Sequence, residues 1–295
     1  MELPLESVPN VSEGRDPAVI AAIGEAFGRR ARLLDVHSDA DHHRSVFTLV
    51  ASDGDLVEAL LEGIARTREL VDLRRHEGAH PRIGAVDIVP LVPIAPRDLE
   101  RARAAALRLA DRIASELGLP VFLYGEIGGG RTPASIRRGG TDELARRLAA
   151  GELAPDRGPG RLDKRGGGVI VGARRPLIAF NVNLRSEDVE AARAIAAVVR
   201  ESGGGFPGVR ALGLALPLAG CVQVSMNVED WEAAALHEIV ERVAAEASRR
   251  GIAVLGSELV GLMPAGAAAA AAGSSLRIDG FAPSRLLELR LLDGD

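Results

Sequence analysis

Between Arg75 and Asp87 the chain reads Arg-His-Glu-Gly-Ala-His-Pro-Arg-Ile-Gly-Ala-Val-Asp, which gathers two histidines, two arginines and two carboxylates. No other stretch concentrates so many groups able to move protons or bind carboxylates. His76 to His80 spells H-E-x-x-H, the spacing that puts two imidazoles on one helix face to ligate zinc, with the glutamate as base. That arrangement needs a helix through both histidines. Gly78 lies between them, and Pro81 disfavours helical backbone at His80. A buried zinc helix also wants apolar neighbours, and Arg74 and Arg75 precede it. A second reading is a loop that holds a catalytic histidine beside carboxylate-binding arginines. The third is a polar helix end, where cationic side chains sit favourably against the last carbonyls. Taken alone, the stretch is most simply the third.

The rest of the chain narrows the choices. At 295 residues with 47 % apolar residues it can fill one large domain or two modest ones. Net charge is −5, there is no basic block, and aromatics are 3 %, a poor profile for nucleic-acid binding. Lys164 is the single lysine and Cys221 the single cysteine, so no internal disulfide is expected and a reducing compartment fits. The start, Met1 to Glu6, has neither the basic nor the apolar segment of a signal peptide. No run approaches the ~20 apolar residues of a membrane span. The expectation is a soluble, cytoplasmic protein.

The elements that must position the histidine stretch follow from periodicity. Leu3–Val8 reads as a strand; Asp16 caps a helix over Ala18–Arg29 with Pro17 at its first position. Strands follow at Ala31–Val36 and Ser45–Ala51. A helix from Asp55 carries Leu56, Ala59, Leu60 and Ile64 on one face toward Leu73. Ala85–Val92 is a strand, Asp98–Leu117 a helix and Pro120–Tyr124 a strand. Ser135–Ala150 is helical in pieces, and Gly151–Gly168 is a long loop of the kind that is functional or disordered. Beyond it come a strand at Leu177–Leu184, a helix at Ser186–Glu201, strands at Val209–Leu216 and Val222–Val228, a helix at Asp230–Arg249 and a strand at Ile252–Leu255. That β-α-β-β-α-β order is the ferredoxin-like unit, and the first half shows a similar order with additions. The predicted fold is α+β, in two subdomains (residues 1–177 and 178–295), each a mixed or antiparallel sheet with helices on one face. The alanine run after Pro264 predicts a helix, and Leu286–Leu292 a last short apolar element.

Several stretches together resemble the glutamate formiminotransferase family. They begin with Val8-Pro9-Asn10-Val11-Ser12-Glu13-Gly14-Arg15, Leu33-Leu34-Asp35-Val36 and Arg44-Ser45-Val46-Phe47-Thr48. His80-Pro81-Arg82-Ile83-Gly84-Ala85-Val86-Asp87 and Leu123-Tyr124-Gly125-Glu126 come next. Gly172-Ala173-Arg174, Ile178-Ala179-Phe180-Asn181-Val182-Asn183-Leu184, Gln223-Val224-Ser225-Met226-Asn227, Ala235-Leu236-His237 and Gly256-Ser257-Glu258-Leu259-Val260-Gly261-Leu262 complete the series. The resemblance covers almost the whole chain. It implies two subdomains with a folate-holding cleft between them, a homodimer, and transfer of a formimino group from N-formimino-L-glutamate to N5 of tetrahydrofolate. The cyclodeaminase domain of bifunctional members is not expected.

The same resemblance makes His80 the general acid and base, a role imidazole fills because it titrates near neutral pH. It places the folate loop on Gly158, Pro159, Gly160, Arg161, Leu162, Asp163, Lys164, Arg165, Gly166 and Gly167. Family members tend to carry small, hydroxyl-bearing or aromatic residues where this loop has Asp163, Lys164 and Arg165. Those charges either bind a glutamate tail or mark a changed ligand. The donor has two carboxylates, which suit the forked guanidinium, and Arg82 and Arg44 are the candidates. Asn181 and Asn183 alternate along a strand and so face one side together, where they can line the cleft or serve the strand alone. His42 and His43 beside Asp39 and Asp41 form either a metal site or a solvated loop; no metal is expected. His37 is expected to orient a turn and His237 to pack on a helix. Two other classes stay open: a non-catalytic folate or small-acid binding protein, and the zinc hydrolase of H-E-x-x-H.

Overall fold

A computed structural model describes residues 3–287 and 289. The chain divides into two compact units, with the break between Pro176 and Leu177.

In the first unit β1 (Leu5–Ser7) and β2 (Asn10–Val11) share one place in the sheet, because Pro9 lacks the N–H that would make them continuous. Both pair antiparallel with β4 (Arg44–Ala51) on one side and β5 (Val86–Pro93) on the other. β3 (Arg32–Asp39) closes the edge beyond β4. Past β5 the sheet continues through β7 (Val169–Ala173) to β6 (Val121–Gly125), both pairings parallel. Three helices, α1 (Pro17–Gly28), α2 (Asp53–Leu70) and α3 (Leu99–Leu117), pack on one face. Asp16 caps α1 by accepting from the Ala18 and Val19 N–H groups, which supplies partners to orphan helical donors. Phe27, Phe47, Leu60 and Leu109 are wholly buried there, each such side chain contributing roughly 1.5–3 kcal/mol of transfer free energy. Along β6 and β7 successive residues alternate sides: Val121, Leu123, Val169 and Val171 enter that core, and Phe122, Tyr124 and Ile170 enter a smaller one. The smaller core is covered by α4 (Pro133–Arg137) and α5 (Gly140–Ala149) through Ile136 and Leu144.

In the second unit β8 (Ile178–Leu184), α6 (Val189–Val199), β9 (Val209–Leu216), β10 (Cys221–Val228), α7 (Leu236–Ser248) and β11 (Val254–Val260) form an antiparallel sheet ordered β11-β8-β10-β9. The first and third strands are central and the fourth flanks the first. The first unit places β1/β2, β3, β4 and β5 in the same relation. Val182, Leu184, Val222, Val224, Met226 and Val228 are buried in its core with α6 and α7. The alanine run forms α8 (Ala265–Leu276).

The α+β architecture matches expectation; some boundaries do not. The helix expected from Asp230 begins at Leu236, because Asp230 instead organises a turn, its side chain accepting from Ala233 N–H. The strand expected to end at Leu255 runs to Val260, drawn out by pairing with β8. His37 lies within β3, paired with Val46, and not at a turn. The element expected at Leu286–Leu292 falls largely outside the described residues.

Candidate active site

Two loops build the site on the first unit. One is the β3–β4 turn, residues 40–43; the other is 76–82, between α2 and β5. After α2 only one tight helical turn follows, Leu73–Arg75, so His76 and His80 share no helix. The helical premise of H-E-x-x-H therefore fails, for the reason Gly78 and Pro81 give. Ala79 N–H donates to the Asp41 carbonyl and the His43 imidazole to the Glu77 carbonyl. A Cβ on Gly78 would overlap the His42 carbonyl, so glycine permits the close approach. His43 has φ 48°, a left-handed turn residue, and its ring stacks on His76 with centroids 3.9 Å apart.

Arg82 laces the two loops together. Its guanidinium donates to the carbonyls of His42 (2.8 Å), His43 (3.0 Å) and His80 (2.7 Å), and Nη1 reaches the His76 ring at 2.7 Å. Arg44, at the start of β4, donates to Asn10 Oδ1 (2.8 Å), the Pro81 carbonyl (3.2 Å) and Asp87 Oδ2 (2.7 Å). Both arginines named as carboxylate partners are thus engaged with groups of the protein itself.

Asp87 is fully buried. Its Oδ1 accepts from Ile83 N–H at 2.8 Å, and its Oδ2 faces Arg44 at 2.7 Å and Arg137 of α4 at 2.6 Å. Burial works against the charge on Asp87, but Arg137, Arg44 and the Ile83 amide outweigh it and hold the carboxyl below its usual range. Arg44 is pushed down to about 10 by burial, with Arg137 and Arg82 adding to the effect and Asp87 opposing it. Arg82 is likewise lowered to about 10 by burial and by Arg137 and Arg15, against Asp87. Burial is the first cause in both, and the neighbouring guanidinium groups add to it. Arg137 and Asp87 carry this centre, and sequence reasoning assigned a role to neither. Arg137 sits in a charged helical piece 50 positions from its partner, and nothing local signals the pairing.

His80 is half-buried, and its Nδ1 lies 2.8 Å from the Pro81 carbonyl. A carbonyl only accepts, so Nδ1 carries the hydrogen and Nε2 keeps a lone pair. Burial, then the charges of Arg44 and Arg137, push His80 well below the usual imidazole value. The near-neutral titration expected of it is therefore displaced: His80 is a neutral base at pH 7. His42 stacks at 5.9 Å from it. His76 is pushed down to about 4 by burial, then by Arg82 and His43.

The glycine loop, residues 158–167, grips the flanks of the histidine stretch. Leu73 N–H donates to the Arg165 carbonyl, Ala85 N–H to Gly166, and Gly168 N–H to Ile83. At Gly167, φ 71°, a Cβ would overlap the Ile83 carbonyl. The unusual charges have local partners. Asp163 Oδ1 accepts from the Arg165 and Gly166 amides, and its carboxylate pairs with Arg68 at 3.1 Å. Arg165 donates to the Glu69 carbonyl and lies 3.5 Å from Asp72. Arg161 and Lys164 are exposed.

On the second unit Asn181 and Asn183 lie with Gln223 and Ser225 on the sheet face away from the core. Asn181 donates to Glu258 at 3.0 Å, and Gln223 to Asn183 at 2.9 Å. The second unit thus holds a largely buried amide row with one carboxylate, a pattern legible only once β8, β10 and β11 are aligned.

Two units of βαββαβ order, the first carrying a cluster of histidines and arginines around the buried Asp87, define an α+β protein of two related halves. Comparison with known proteins fixes which. The model of the formiminotransferase domain's N-terminal subdomain matches residues 4–174, and that of the formiminotransferase domain matches residues 179–278. The chain is 38 % identical to a glutamate formimidoyltransferase of Streptococcus pyogenes, covering 94 % of each. It is 36 % identical to one of Thermoplasma acidophilum over 97 % of each. It also matches a formimidoyltransferase-cyclodeaminase of Sus scrofa at 39 %, spanning 88 % of this chain and half of that one. The chain belongs to the formiminotransferase family.

Proposed function

We propose that the protein is a folate-dependent transferase that moves a formimino or formyl group between N-formimino-L-glutamate and N5 of tetrahydrofolate. Family membership supports the reaction class. The observation that carries the chemical reading is the His80 imidazole, whose Nδ1–H is held by the Pro81 carbonyl, leaving the lone pair on Nε2, with the charges of Arg44 and Arg137 acting on the ring. N5 attacks the amidine carbon to give a tetrahedral intermediate. Nε2 takes the N5 proton and delivers one to the glutamate nitrogen as the carbon–nitrogen bond breaks. Protons balance, and the histidine is regenerated.

In this reading the loop from Gly158 to Gly167 binds tetrahydrofolate, a co-substrate, with its exposed Arg161 and Lys164 facing acidic ligand groups. Asp163 and Arg165 hold the loop against α2. Asn181 and Asn183 remain substrate-binding candidates. A homodimer, a cytoplasmic location and operation without metal belong to the same proposal. The lone Cys221 supports the location, and no helix among the described residues is long and apolar enough to cross a membrane.

Turnover of N-formimino-glutamate with tetrahydrofolate tests the reading. His80→Ala is expected to lose roughly 10²–10⁴-fold in rate, the usual worth of a positioned acid–base group, with folding intact by circular dichroism. Equal rates for wild type and variant would remove His80 from its role. Folate binding without turnover in the wild type would leave a binding protein.

A further inference from the structure

Arg44 and Arg82, the arginines that sequence offers to the donor's carboxylates, are tied to the protein: Arg82 donates from all three nitrogens, and Arg44 from Nη1 and Nη2, its Nε alone being buried without a partner among the described residues. Arg137 differs. It projects from α4 to the same carboxylate, Asp87, with Nη2 at 2.6 Å, and its side chain is 12 % exposed. Its Nε and Nη2 are both buried without a well-aligned hydrogen-bond acceptor among the described residues, so its hold on Asp87 is an ion pair alone, with no carbonyl of the loops engaged. Asp87 carries one negative charge and faces two guanidinium groups, Arg44 at 2.7 Å and Arg137 at 2.6 Å, so a single carboxylate is shared between two cations in this buried place. An uncompensated buried charge is costly, and an incoming anion relieves it.

We propose, resting on the transferase reading, that Arg137 is a specificity-determining residue that binds one carboxylate of the glutamate donor beside His80, while Arg44 and Arg82 serve to hold the loops. A forked guanidinium with one nitrogen on Asp87 and another unpaired suits a carboxylate. The carboxylate could instead come from the folate's glutamate tail. The donor is favoured because Arg137 is one of the two arginines whose field acts on His80, the reacting base. A consequence follows for the chemistry. Neutralising Arg137 lifts part of the positive field from His80, so donor binding strengthens the base at the moment it is needed.

The test compares wild type with Arg137→Gln and Arg137→Lys, varying donor and tetrahydrofolate separately. Losing a charge-assisted contact should raise donor KM roughly 10- to 100-fold in Arg137→Gln, with folate KM within about twofold and partial recovery in Arg137→Lys. Melting curves report folding, and if the glutamine variant does not fold, the lysine variant carries the comparison. A second readout is independent of turnover: NMR titration of the His80 ring with added L-glutamate. Glutamate should raise its proton affinity in wild type, less so in Arg137→Lys, and leave it unchanged in Arg137→Gln. Unchanged donor KM in folded variants, or a rise confined to folate KM, overturns the assignment. Absence of turnover in wild type, with the glutamate effect on His80 intact, sinks the transferase reading but supports Arg137 as a carboxylate site.

Discussion

Removing Asp87 is the sharpest test of how the site is held together. Asp87→Ala leaves Arg44 and Arg137 facing each other in a buried place without the carboxylate between them. It also deprives Ile83 N–H of its acceptor. Breaking a buried ion pair from one side costs about 3–5 kcal/mol, and an orphaned buried amide about 1–3 kcal/mol. Water entering the vacated space offsets part of this, so about 4–6 kcal/mol is expected for the first unit. For a unit of this size each kcal/mol moves the melting temperature by about 2–4 °C, giving a fall of roughly 10–20 °C. Asp87→Asn keeps an oxygen for Ile83 and should cost less, about 3 kcal/mol. Scanning calorimetry and urea titration at pH 7 measure both. The triple change Asp87→Leu, Arg44→Met, Arg137→Met should recover much of the loss, since apolar replacement of a whole buried ionic group is often neutral. An Asp87→Ala protein melting within about 2 °C of wild type would refute the reasoning, because the two guanidinium groups would then have to be solvated already.

Further outcomes follow from the same geometry. Because His80 is pushed below the ordinary imidazole value of ~6.5, the acid limb of kcat/KM should fall well below that pH; a limb at ~6.5 or above contradicts the lowered proton affinity of His80. His76 binds its proton less tightly folded, at about 4, than unfolded, near ~6.5. Acid therefore favours the unfolded chain. Stability is full above about pH 6.5 and declines as pH falls toward about 4, a slope in urea midpoint that His76→Asn should flatten. Asp87 acts later: held below ~3.9, it contributes stability above that pH and loses it as pH falls through its folded value. Gly63→Ala in α2 puts a methyl against the buried Phe27 ring, which has no room to move. Overpacking of about 1–3 kcal/mol should outweigh the ~1 kcal/mol that alanine gains over glycine in a helix, readable as a lower urea midpoint.

What the chain discloses in advance, and what it withholds, divides along the range of the interactions. Gly78 and Pro81 act on their own backbone, so the loss of helix through His76–His80 is legible from a few residues. Asp16 and Pro17 announce α1 in the same way, and the apolar spacing of α2 its buried face. The polar segment at 256–260 carries no strand signal, yet becomes β11 because β8 offers it a partner. The site shows the division most clearly. That arginines would gather near His80 is legible from residue type; which of them meets a ligand is not. Arg82 and Arg44 stand next to the motif or its partner turn and are engaged by the protein, Arg82 by the loop carbonyls and Arg44 by Asn10, Pro81 and Asp87. The charges at Asp163 and Arg165 look like departures aimed at a ligand, yet their partners are Arg68, Asp72 and the end of α2. Arg137 comes from a distant helical piece and arrives on Asp87 with a donor to spare. Arg82, two residues from His80, is recruited to hold the loop, because short-range carbonyls are within its reach. Recognition then falls to a side chain that approaches from another element, where the loop's own backbone cannot satisfy it.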